Sequence, residues 1–114
     1  MGLMTVLDEY KRTKHKQLED YRQRTIQRVH RALNELRKHI LFDEAYIFGS
    51  ILSPSFSEDS DIDIAFTGLR DEDFFKAMAF LSAFLEREVD IVQLEDHRLK
   101  DTIIKNGIKW KIDK

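Results

Sequence analysis

From residue 5 to residue 40 neither glycine nor proline interrupts the chain. In a protein of 114 residues, so long an unbroken stretch leaves only the remainder for a sheet. Apolar residues recur at Leu18, Tyr21, Ile26, Val29, Leu33, Leu36 and Ile40, three to five positions apart. That spacing predicts one face of an amphipathic helix, with Arg and Lys on the other side. Residues 8–16 are polar nearly all round, so this part is expected to project from the body or to meet a partner. Residues 1–27 are therefore read as a helical extension continuous with the first helix of a domain spanning 28–114.

The rest of the chain changes period. Ala45-Tyr46-Ile47-Phe48 is a short apolar run that stops at Gly49 and reads as a buried strand. Residues 49–60 are rich in Ser and read as a turn leading into a loop. Residues 61–66 alternate acidic and apolar, the pattern of a strand with unusual chemistry on its polar face. Residues 71–86 predict a second helix. Asp71, Glu72 and Asp73 suit its positive N-terminal end, and Phe74, Phe75, Met78, Leu81 and Leu85 form its buried stripe. Residues 88–93 predict a third strand, and residues 99–106 a short helix that Gly107 can end. The tail 108–112 alternates and reads as a strand or a helical end. The fold class expected is α+β, a small mixed sheet with packed helices and a long N-terminal helix.

Composition bounds the function. Apolar residues make up 42% and charged residues 35%, the balance of a globular chain. The absence of cysteine removes disulfides, thiolate catalysis and Cys-based zinc sites, and it fits a reducing cytoplasm. No apolar run is long enough to span a membrane, and the first residues carry neither a signal peptide nor a myristoylation pattern. The net charge of −2 hides an asymmetry. Residues 8–39 carry ten Lys/Arg against five Asp/Glu, while the rest carry nine against sixteen. A basic arm thus joins an acidic body. The arginines of the arm, Arg22, Arg24, Arg28 and Arg31, are read as solvating a helix face rather than as a nucleic-acid surface.

Asp61-Ile62-Asp63-Ile64 carries the chemistry. On a strand, residues two apart share a face, which sets Asp61 and Asp63 about 6–7 Å apart at the backbone. Ile62 and Ile64 then turn inward and fix the register. Two ionised carboxylates on one face repel each other unless a cation lies between them. Oxygen ligands without sulfur or His suit Mg²⁺ or Mn²⁺. Asp90, between Val89 and Ile91, repeats the pattern. If its strand neighbours the first, three carboxylates meet at one place, enough to hold two metal ions about 4 Å apart for in-line attack at phosphorus. The bland alternative is an acidic edge strand kept soluble and unpaired. Gly49, directly after an apolar strand, permits a sharp turn and close approach to a phosphate, and Ser50 adds a hydroxyl.

Gly49-Ser50, ten residues, then Asp61-Ile62-Asp63 resembles the GS-x10-D-x-D signature of the DNA polymerase β-like nucleotidyltransferases. The minimal nucleotidyltransferases are the nearest in form. Phe48, the run from Ser60 to Ile64, Val89-Asp90-Ile91 and the ending around Asn106-Gly107 join the likeness, which covers about residues 28–112. The resemblance implies that Asp61, Asp63 and Asp90 bind metal and are catalytic, with Asp90 assisting deprotonation of the acceptor. It implies that Gly49, Ser50 and Ser60 bind the nucleotide, with two Mg²⁺ ions as cofactor and ATP as substrate. Many minimal members carry an Arg-Gly pair inside the ten-residue gap, where this chain has Ser53-Pro54. The family also implies a role: transfer of AMP to a tyrosine of a partner HEPN-domain toxin, as its antitoxin. Alternatives are an antitoxin that neutralises its partner by contact alone, and an enzyme acting on a small hydroxyl compound whose missing wall a homo-oligomer or partner supplies.

Overall fold

The computed structural model describes residues 3–111, and side chains from residue 5 onward. The first helix, α1, spans Leu3–Arg37 as one unbroken rod of 35 residues, about 52 Å long at 1.5 Å per residue. Its two halves differ as the polarity predicts. Ile26, Val29, Ala32, Leu33 and Leu36 lie buried, whereas every residue from 5 to 17 is exposed, including Val6, Leu7 and Tyr10. The projecting half stretches the molecule to 61 × 27 × 27 Å. The helix passes residues 27 and 28 without a break.

Strand β1 (Glu44–Phe48) is followed by a short 3₁₀ turn, Gly49–Leu52, and a Ser-rich loop. Strand β2 is Ile62–Thr67, and helix α2 is Phe74–Leu85. Asp71–Asp73 form a separate 3₁₀ turn ahead of α2 rather than its first helical turn. Strand β3 is Val89–Gln93. After another 3₁₀ turn, Leu94–Asp96, helix α3 runs Lys100–Asn106, and β4 is Ile108–Lys109. The ambiguous tail is thus a strand at Ile108–Lys109, and residues 110 and 111 carry no regular structure. Its Ile112 lies outside the described residues, as do Met1 and Gly2.

Gly107 ends α3, but in an extended rather than a left-handed conformation. A Cβ there would press on the Ile103 carbonyl oxygen at 2.5 Å, so the close return of the chain is what requires glycine.

The strand order is β3-β2-β1-β4. The two pairs involving β1 are antiparallel, and β2 pairs with β3 in parallel. Because side chains alternate, each strand divides its residues between two layers. Ala45, Ile47, Ile62, Ile64, Phe66, Val89 and Ile91 join the main core with α1 and α2. Tyr46 and Ala65 face the other way and form a smaller core with Leu94 and Ile103 of the α3 region. In α2, Ala77, Leu81 and Leu85 are buried. Phe75, expected in the buried stripe, is 73% exposed and touches Phe74 edge-on. It falls about 100° round the helix from Phe74, so it turns out of the apolar arc. No helix among the described residues is long and apolar enough to cross a membrane.

Candidate active site

The carboxylates gather where β1 ends and β2 and β3 begin. Ile62 and Ile64 are wholly buried in the main core, and this anchors β2 with Asp63 on the opposite face. The parallel pairing sets Asp63 directly opposite Asp90. Asp61 stands exposed just ahead of β2. The two strands are therefore neighbours, as the carboxylate reading required.

Electrostatics tie the three together. The Asp63 carboxyl is pushed above the ordinary Asp range, first by its burial and then by the negative charges of Asp90 and Asp61. Asp63 therefore lies within the field of both Asp61 and Asp90. Among the described residues, no three Asp, Glu or His side chains are yet gathered tightly enough to enclose a metal ion. The donor set nevertheless fits a hard divalent cation. It is all oxygen, two members are in register on adjacent strands, and their mutual repulsion is what a cation would relieve.

Gly49 takes φ +78°, a conformation that side chains disfavour. A Cβ on it would overlap Asp63 Oδ2, so glycine is needed for close approach as well as for the turn. The Ser50 hydroxyl donates to the Asp61 carbonyl oxygen at 3.0 Å and ties the two ends of the loop together. Ser60 also serves the loop: its hydroxyl accepts the Ser57 N–H at 3.1 Å, and its own N–H donates to the Ser57 carbonyl. Gly49, Ser50, Asp61 and Asp63 thus form one connected group.

The family description "Polymerase beta, Nucleotidyltransferase" matches residues 31–110. The chain belongs to this family.

Two solved structures share the nucleotidyltransferase fold. One, a "toxin-antitoxin with AMP-PNP", is 22% identical with a TM-score of 0.62, over 75% of this chain and 74% of that one. The other, described as a minimal nucleotidyltransferase, is 22% identical with a TM-score of 0.55, over 82% of this chain and 93% of that one. No curated protein sequence matches the chain. The matched nucleotidyltransferase region holds Gly49, Ser50, Ser60, Asp61, Asp63 and Asp90, and it excludes the projecting half of α1.

Two residues that hold the loop between Gly49 and Asp61 escape sequence reading. Arg22 reads as a solvated helix arginine, yet its Nη1 donates to the Ile51 carbonyl at 3.0 Å while Glu19 grips the rest of its guanidinium. Arg22 and Gln23 pull the Glu19 carboxyl down to about 2. Arg87, just after α2, reaches the far side of the same loop. The one local signal was position. Both arginines border the apolar stripes, where a long side chain lies along the body rather than pointing into water.

An open cleft of 810 Å³ lies elsewhere, between α1 and α2 and lined by Arg31, Arg37, Phe80, Phe84 and Trp110 among others. It belongs to the helical layer. The carboxylates take no part in it.

Proposed function

We propose that this nucleotidyltransferase moves a nucleoside monophosphate, AMP from ATP, onto a hydroxyl of a protein partner and so serves as an antitoxin. The observation that carries the reading is the register of Asp63 against Asp90 beside Asp61, with Gly49 and Ser50 packed onto the same acids. Asp61, Asp63 and Asp90 would hold two magnesium ions. When bound, these would neutralise the triphosphate and favour ionisation of the acceptor hydroxyl. Asp90, the more open partner of the register pair, takes the proton of the attacking hydroxyl. Asp61 and Asp63 face the phosphates. Gly49 leaves room for the phosphates to approach the backbone, and Ser50 and Ser60 keep the loop around them in shape. The acceptor oxygen bonds to the α-phosphorus, the bond from that phosphorus to the bridging oxygen breaks, and pyrophosphate departs. Catalysis then consists mainly of positioning and charge neutralisation.

The partner we infer is a HEPN-domain toxin, modified on a tyrosine. The support is the minimal-nucleotidyltransferase resemblance together with the toxin–antitoxin assembly among structures of the same fold. The cysteine-free chain suits action in the cytoplasm. A second reading, neutralisation by contact alone, draws on the projecting half of α1, whose exposed Val6, Leu7 and Tyr10 offer an adhesive surface away from the acids.

The deciding experiment mixes the purified protein, ATP and Mg²⁺ with the product of the neighbouring gene, followed by intact-mass spectrometry of that product. The expected result is added AMP, lost with Asp61→Asn and Asp63→Asn together. A tight complex with no mass gain would replace the enzyme reading by the contact one.

A further inference from the structure

Arg87 occupies a position that neither its sequence context nor the catalytic acids explain. Helix α2 ends at Leu85, and Glu86 follows in the left-handed conformation with φ +54°. For a residue with a side chain this conformation is disfavoured. The N–H groups of Glu86 and Arg87 both donate to the Ser82 carbonyl oxygen, which closes the end of the helix and reverses the chain toward β3. The reversal turns Arg87 under the loop that joins Gly49 to Asp61.

There its guanidinium gathers contacts from two segments, the loop and α1. Nη2 donates to the carbonyl oxygens of Ser57 at 3.1 Å, Glu58 at 3.4 Å and Ser60. Nη1 donates to the Tyr21 hydroxyl of α1 at 2.9 Å. The cation sits over the Phe56 ring, 5.0 Å from its centre, and Phe56 stacks on Tyr21. The loop has no strand or α-helix of its own between Leu52 and Ile62. Three of its carbonyls converge instead on one cation, which substitutes for a ladder of backbone hydrogen bonds. Arg22 fixes the other end through Ile51.

The consequence reaches the site through short covalent and hydrogen-bonded paths. Ser60, held by Arg87, immediately precedes Asp61, whose carbonyl accepts the Ser50 hydroxyl. On the other side, Arg87 adjoins Glu88, whose carbonyl accepts the Ile62 N–H and starts the ladder that sets Asp63 against Asp90.

We propose that Arg87 is a positioning residue of the nucleotide site, a clamp that holds the loop from Gly49 to Asp61 in the shape that receives the triphosphate. This rests on the nucleotidyltransferase reading above. Arg87 acts through the loop, without touching substrate. A planar, forked guanidinium serves two directions at once, to Tyr21 and to the three carbonyls, and lysine cannot reproduce this.

The test uses the full chain with Arg87→Lys, which keeps the charge, and Tyr21→Phe, which removes a single acceptor and preserves the stacking. Two readouts are taken: amide hydrogen exchange, and ATP affinity by calorimetry with Mg²⁺. For Arg87→Lys we expect faster exchange confined to residues 51–61, unchanged protection in α2 and β2, and ATP affinity lower by roughly tenfold, on the scale of a lost charged hydrogen bond. Tyr21→Phe should produce the same pattern at smaller amplitude. Unchanged loop exchange in Arg87→Lys would overturn the clamp. Faster loop exchange with wild-type ATP affinity would overturn its role in the site. Protection lost throughout the molecule would reduce Arg87 to a general stabiliser. If the wild-type protein itself binds no ATP, the nucleotidyltransferase reading fails and the positioning role falls with it; the exchange measurement would still show whether the clamp exists.

Discussion

On one face of the sheet, Ile47, Ile62, Ile64 and Phe66 lie wholly buried beneath α1 and α2. On the other, Tyr46 and Ala65 are covered by Leu94 and Ile103, while Asp63 is half-buried and Asp90 exposed. Both faces come from the same alternating strands, so the strands do not decide the difference. The cover does. Two long helices can roof the first face from end to end, whereas seven-residue α3 and the turn before it leave the starts of β2 and β3 open. An uncovered end is where charge can remain without the full desolvation penalty. The apolar face supplies rigidity, and the short roof opposite it leaves room for a site.

The largest effect that separates the two faces should come from Asp61→Asn with Asp63→Asn. Transfer should fall by roughly 1,000-fold, as for removal of groups that stabilise developing charge. The fold should survive or gain, because the Asp63 carboxyl is raised by burial and by its acidic neighbours. The sign follows from proton linkage. The native state holds that proton more tightly than the unfolded chain. Stability therefore falls as pH rises past the ordinary Asp value and through the raised one, and the double variant should flatten that fall. Urea melts at a series of pH values would check it. A large loss of stability at neutral pH would show that the acids are structural.

Next comes the opposite face. Ile64→Ala should cost about 2–5 kcal/mol in denaturant unfolding, since it opens a cavity at a wholly buried position. Any transfer that remains should track the folded fraction. A variant stable to within error would break the assignment of that face as the rigid one.

Ser50→Ala removes the hydroxyl that closes the loop on Asp61. ATP affinity should drop by roughly three- to tenfold, the value of an ordinary hydrogen bond, with little change in stability. Equal affinity would remove Ser50 from the nucleotide site. The smallest effect on stability should come from a chain that begins at Gln17. Every described side chain removed is exposed, so unfolding should change by less than about 1 kcal/mol. Partner binding should suffer if the projecting half of α1 is a docking arm, and a pull-down with the partner measures that directly.

The sequence by itself determined the long helix, because an uninterrupted period near 3.6 residues has one low-energy solution. It determined β1, β2 and β3 through apolar runs and a period of two, and the α+β class with them. The spacing of Gly49-Ser50 from Asp61 and Asp63, with Asp90 later, also made the candidate site legible, because a signature of fixed spacing can be read along the chain before it folds. Tertiary structure alone decided the rest. That β2 and β3 pair in parallel with Asp63 opposite Asp90 is a long-range choice, made by which apolar faces α1 and α2 bury together. Periodicity in a two-residue strand is too brief to read, so β4 became visible only through its pairing with β1. Phe75 follows an apolar neighbour and still faces outward, because one residue of helix rotates it beyond the core. Arg22 and Arg87 carry the clearest lesson. A long cationic side chain has no periodicity that reveals its partner, and the carbonyls it holds come together only after the chain has folded.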